Sequence, residues 1–137
     1  MLDYFLSLNE QNLAWSPEID VISFSHFLPR LETMVPSAEQ LKSMTYFTQK
    51  SGFNFSRVAG SARLDQQIRR ANSAVHVYGH QHRNRCRFID GIYYASCCLG
   101  YERERSSGSV NFPGSIPLEV WNSDRGVVLH ELVEDLV

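Results

Sequence analysis

The sequence predicts an α/β fold in which strands and helices alternate in layers. Residues 20–25 and 73–78 are short, apolar, β-branched runs bounded by polar or turn-forming residues, the signature of strands. The chain between them contains segments of helical periodicity. Asp90-Gly91 sits between two further apolar runs and is the strongest short hairpin signal in the chain. Strands joined through helices pair in parallel, and a returning helix packs on the face of their sheet. At 137 residues the chain predicts a single domain, 1–137.

In order along the chain, Leu2, Phe5, Leu6, Leu8 and Leu13 alternate with polar residues, compatible with one amphipathic helix over residues 2–14. Ser16-Pro17-Glu18 reads as a turn before the first strand. Residues 28–36, which hold Pro29 and Pro36, read as a loop with room for a short helical turn. Ser37 followed by Gln40 fits a capping box opening a second helix, with Leu41, Met44 and Phe47 as its buried stripe. Residues 51–60 are polar and glycine-containing, hence a loop. Ser61 begins a third helix to about Asn72, with Leu64 and Ile68 inward and Arg69 and Arg70 outward. The strand 73–78 follows, then the hairpin 87–89 and 92–95. Residues 106–114 are rich in serine and glycine and predict a mobile loop. Residues 118–121 and 127–129 predict a final hairpin, and no internal repeat or domain linker is visible.

Composition excludes several classes. A net charge of −2 leaves no basic footprint for nucleic acid and no polybasic membrane signal. No apolar run reaches the ~18 residues of a spanning helix, and the first residues lack the basic start of a signal peptide. The three cysteines, Cys86, Cys97 and Cys98, make a poor disulfide framework, so they predict reduced thiols in a cytoplasmic protein. One of the adjacent pair, Cys97 or Cys98, is expected in the core. No Cys-x-x-Cys is present to suggest a zinc knuckle.

The most informative chemistry is Gly79-His80-Gln81-His82, at the end of the strand 73–78. Imidazoles at i and i+2 share one side of an extended chain, and the preceding glycine lets the backbone bend and approach a ligand. His-x-His alone is a weak signal. It gains weight because the first strand also delivers a histidine, His26, just before Pro29. Two strand ends converging on three imidazoles, where open α/β sheets build their sites, predict a metal site.

These residues carry a resemblance. Residues 21–29, then 75–82, then a hairpin and Leu99-Gly100-Tyr101, resemble the C-terminal half of a calcineurin-like metallophosphoesterase, over roughly residues 15 to 125. His26 matches the family's fourth block, a single strand-end histidine, and Gly79, His80 and His82 match its fifth, Gly-His-x-His. The resemblance implies an α/β sandwich of two sheets flanked by helices, here incomplete. It implies hydrolysis of a phosphoric ester at a centre of two divalent ions, of the manganese, iron or zinc kind. His26 and His80 would bind one ion and His82 the other. Paired ions about 3.5–4 Å apart clamp the attacking and leaving oxygens and lower the pKa of bound water.

The departures are as informative. The family's first three blocks, Asp-x-His, Gly-Asp-x-x-Asp and Gly-Asn-His-Asp/Glu, do not occur here. By resemblance they would supply the bridging carboxylate, an asparagine ligand and the general-acid histidine. Two ions with four or more ligands each cannot be held by three imidazoles. Neither Asp20 nor Asp90 has a motif that marks it as the bridge. The sequence therefore reads as part of a catalytic domain, completed by an upstream segment or by a partner chain such as a second copy in a homo-oligomer, or as a shortened protein that has lost the chemistry and binds other proteins.

Other candidates are weaker. Arg83 and Arg85 follow the motif in what reads as a solvated loop, where a guanidinium fork suits a phosphate of the substrate. His76, within its strand, reads as packed and hydrogen-bonded, and His130 as structural or exposed. Tyr101 to Arg105 alternates charge and reads as an exposed face that places Tyr101 or Arg103 at a cleft rim.

Overall fold

A computed structural model describes residues 2–10, 18–35, 59–110 and 117–133. The expected second helix from Ser37, the turn at Ser16-Pro17 and most of the loop 51–60 lie outside those residues. The described residues form a mixed α/β fold built on one four-stranded sheet. Its strands are β1 (Val21–Ser25), β2 (Ser73–Tyr78), β3 (Arg85–Ile89) and β4 (Ile92–Ser96), in the order β1-β2-β4-β3. β1 with β2 and β2 with β4 are parallel, and β3 with β4 is antiparallel.

The helix α1 (Leu2–Glu10) packs on α2 (Ala62–Arg70), which leads into β2. Ser61 caps α2, its hydroxyl accepting from the Arg63 N–H at 3.2 Å. The helix stops before the predicted Asn72 because Asn72 is left-handed (φ 50°), a conformation asparagine tolerates just past a helix. Its buried residues are Gln67 and Ile68, whereas Leu64 is only half-buried. The Gln67 amide donates to the Leu6 carbonyl at 2.7 Å, which is why a polar residue can be buried there. Arg70 faces solvent and grips Glu10, but Arg69 turns inward to Asp65 at 2.8 Å.

Two cores cover the sheet. On the α2 face, Leu28, Ile68, Tyr78, Ile89, Ile92 and Tyr94 pack together. On the other, Val75, Cys86, Ala95 and Leu129 are covered by Leu118, Val120, Val127 and Val133. That cover carries a two-stranded ribbon, β5 (Trp121–Asn122) and β6 (Gly126–Val127), shorter than the predicted hairpin because only Trp121↔Val127 and Asn122↔Gly126 pair. The β3–β4 hairpin is as read: Asp90 (φ 48°) and Gly91 (φ 87°) are both left-handed, as a type I′ turn requires. β3 begins two residues earlier than expected, which draws Arg85 into the sheet. The alternating run after Tyr101 is exposed, as read, and forms a short helix, α3 (Glu102–Ser106), and the start of the expected loop is a turn at Gly108. Cys86, not Cys97 or Cys98, is the core thiol. Among the described residues no helix is long and apolar enough to cross a membrane.

His76 is packed, as its apolar setting suggests. Ser25 donates its proton to the Phe27 carbonyl, so its oxygen accepts from the His76 Nε2–H at 3.0 Å. Nδ1 then accepts from the Ser23 hydroxyl at 2.8 Å. Burial holds this imidazole neutral, its pKa lowered to about 4 with Asp65 opposing the shift. The unfolded chain, near 6.5, takes up the proton first as pH falls. Stability is therefore intact above pH ~6.5 and declines toward pH 4, by about 3 kcal/mol. Urea unfolding between pH 7 and 4.5, compared with His76→Gln, measures this; a profile flat in wild type contradicts a buried neutral His76.

Gly60 fixes the approach of the chain to α2. It bridges to Leu28, and a Cβ at position 60 would lie 1.7 Å from the Leu28 carbonyl oxygen. Both atoms belong to backbone held by the Leu28 N–H to Ala59 and Ser61 N–H to Leu28 bonds, 3.0 Å each. Gly60→Ala is expected to destabilise by about 3 kcal/mol, read as a fall in urea midpoint at unchanged m-value.

Candidate functional site

The register Ser25↔Tyr78 sets the carboxyl ends of two parallel neighbours level. His26 and Gly79 therefore emerge side by side, and the Gly79 N–H donates to the His26 carbonyl at 3.2 Å, one residue beyond the ladder. The chain then turns at His80, which has φ 68°, and the Gln81 N–H closes back on the Gly79 carbonyl at 2.8 Å. A three-residue turn with positive φ at its centre is the rare, strained kind of γ-turn. The bend thus falls on His80 itself rather than on Gly79, whose φ is not left-handed. Gly79 serves close approach: a Cβ there would sit 3.4 Å from both the His26 ring and its carbonyl oxygen.

This turn overturns the expectation that His80 and His82 share one side of an extended chain. His80 turns to His26, its Nδ1 lying 3.3 Å from His26 Nε2 with ring centroids 5.2 Å apart. Phe27 packs on the His80 ring at 5.0 Å. Burial, then the neighbouring His26 and His82, lower the His80 pKa, favouring the neutral form a metal requires. His82 turns elsewhere, its Nδ1 2.8 Å from Glu104 and its ring 4.9 Å from Tyr101.

The spacing of the two donors suits a shared ion, and equally a hydrogen bond from one ring N–H to the other ring nitrogen. Two nitrogens bound tetrahedrally at about 2.0–2.1 Å stand about 3.3 Å apart, the separation found between His26 and His80. Among the described residues, however, no three His, Cys, Asp or Glu side chains converge as a ligand set. Asp20 accepts from the Trp121 indole at 2.7 Å, and Asp90 from Arg30 at 2.8 Å, so neither is placed as a bridge.

An open cavity of about 600 Å³ adjoins the histidines, lined by His80, His82, Arg83, Tyr101 and Glu104 among others. Arg83 is exposed on its wall, as the substrate-binding expectation needs. Arg85 is not: it is buried in β3 and donates to the carbonyls of Thr33 and Val35 at 3.0 and 2.7 Å. Tyr101 reaches the rim, with Arg103 over its ring at 5.5 Å. His130 stands apart, in a short 3-10 turn, hydrogen-bonded to Tyr93. The residue that sequence reasoning missed is Glu104, which looked like one charge in an alternating run until α3 formed.

No family model matches the chain, no curated protein matches its sequence, and no solved structure matches its fold.

A left-handed non-glycine residue carries a backbone penalty, held here by the hydrogen bonds on either side of the turn. His80→Gly relieves the left-handed penalty and is expected to raise stability by about 1 kcal/mol. Thermal unfolding checks it; a variant less stable than wild type means His80 is held at no cost.

Proposed function

We propose that this chain provides the histidine-bearing part of a metal-dependent phosphoesterase centre. The observation that supports the reading is the pairing of His26 and His80 across parallel neighbours, with their facing nitrogens 3.3 Å apart. The motif order, a strand-end histidine and then Gly-His-x-His, is that of the calcineurin-like family it resembles. In this reading the four-stranded sheet and its cover belong to an incomplete two-sheet sandwich. Two divalent ions, of the manganese, iron or zinc kind, supply the Lewis acidity that activates water and offsets charge on the phosphoryl group.

The chain's own side chains have distinct tasks. His26 and His80 would hold one ion, burial and the neighbouring histidines favouring the neutral form of His80, and His82 would serve the other from across the γ-turn. Arg83, exposed at the cavity wall, grips phosphoryl oxygens with its guanidinium fork. The carboxylates come from outside the described residues, from an upstream segment or a partner chain. The outer edge of β1 is where such a segment fits, because β1 pairs with β2 alone among the described strands and ends beside His26.

One observation favours a different role. Phe24 on β1 is 85% exposed, with Ile22 and Phe27 beside it exposed as well. That apolar edge suits a chain that has lost the chemistry and binds another protein.

The two readings separate on metal and activity. The chain alone is expected to bind one equivalent of Zn²⁺ or Mn²⁺, and His26→Ala or His80→Ala to weaken binding at least about tenfold. With the carboxylate-bearing segment present, p-nitrophenyl phosphate hydrolysis is expected and His80→Ala abolishes it. Full activity in His80→Ala sinks the phosphoesterase reading.

A further inference from the structure

We propose that Glu104 is the positioning residue for His82, holding its imidazole in the tautomer whose Nε2 lone pair is open to the cavity. The proposal rests on the reading above, in which His82 is a metal ligand. Glu104 lies on α3, outside both histidine segments, and its Oε2 is 2.8 Å from His82 Nδ1. A carboxylate only accepts, so Nδ1 carries a proton, and in the neutral ring Nε2 is left with its lone pair. No hydrogen-bond partner for that Nε2 occurs among the described residues. The Tyr101 ring stands edge-on to the imidazole at 4.9 Å, and the two contacts together leave the ring little freedom to rotate.

The same Oε2 also accepts from the Tyr101 N–H at 2.7 Å and so caps α3. One carboxylate oxygen thereby ties the start of the helix to the histidine of the γ-turn loop. Capping needs only a carbonyl oxygen, whereas the tautomer of His82 needs an acceptor with no competing donor. The arrangement is that of a histidine whose far nitrogen is held by a carboxylate, which fixes ring orientation and raises the basicity of the ligating nitrogen.

Glu104→Ala removes the acceptor and leaves His82 free to take the Nε2–H form that a neutral imidazole prefers in water. The full 137-residue chain, metal-free at pH 8, is examined by long-range ¹H–¹⁵N correlation of His82, and Zn²⁺ affinity is measured by competition with a chromophoric chelator. Wild type is expected to show the Nδ1–H form; Glu104→Ala is expected to shift toward Nε2–H at unchanged circular dichroism, while the one Zn²⁺ equivalent of the chain alone, held by His26 and His80, keeps its affinity. Wild type in the Nε2–H form, or a variant with unaltered tautomer, overturns the proposal. A tautomer that responds as expected in a protein that binds no Zn²⁺ leaves Glu104 as the positioning residue and overturns the metal reading instead.

Discussion

The parallel pairing of β1 with β2 is the constraint on which the rest of the structure depends. It places Ser25 opposite Tyr78, so His26 and Gly79 leave the sheet together. It also places Ser23 opposite His76, which supplies both hydroxyl partners of the buried imidazole. Side chains alternate faces along a strand, so a slip of one residue would turn His76 away from its serines and Val75 out of its core. The same slip would separate His26 from His80. Core packing and site geometry are thus set by one register, and a change that loosens the first disturbs the second.

The loop that carries His26 is held from outside by arginines. Arg30 binds Glu32 at 2.6 Å and Asp90 at 2.8 Å, tying the loop after β1 to the β3–β4 turn. Arg85 and Arg87, both buried in β3, donate to the carbonyls of Thr33 and Val35, at and just past the end of the 3-10 turn Leu31–Thr33. Carbonyls at the end of a helical turn lack partners of their own, and buried cations need them. The positive charge near the motif therefore divides into two uses: Arg85 braces the scaffold, while Arg83, two residues earlier and exposed, is left to face the cavity. Strain at His80 persists because the surrounding backbone bonds, from Gly79 to His26 and from Gln81 to Gly79, over-determine the turn.

Much of this was legible in local pattern. Asp90-Gly91 specified its hairpin because few residue pairs take two consecutive positive φ values easily. The strands at 21–25 and 73–78 were readable from β-branched content, and their parallel pairing from the helical sequence between them. Arg85 was misread because a strand boundary two residues early changes a solvated loop residue into a buried one. The shared side of His80 and His82 was misread because it assumed extended backbone through His80. Nothing in the composition of the run 101–105 distinguishes an exposed charge stripe from a helix turn that delivers Glu104 to His82.

By itself the sequence determined the α/β class, the two strands that end in histidine, the hairpin turn and the packed character of His76, because each depends on residues adjacent in the chain. Tertiary structure alone decided which nitrogen meets which: His26 with His80, His82 with Glu104, Arg85 with the carbonyls of the 3-10 turn. Those pairings join residues 54, 22 and about 50 positions apart, and they depend on sheet register and on one left-handed residue. Neither leaves a periodic trace, since register is fixed by the summed packing of two faces and the γ-turn at His80 is imposed by backbone bonds on a residue whose side chain does not favour it.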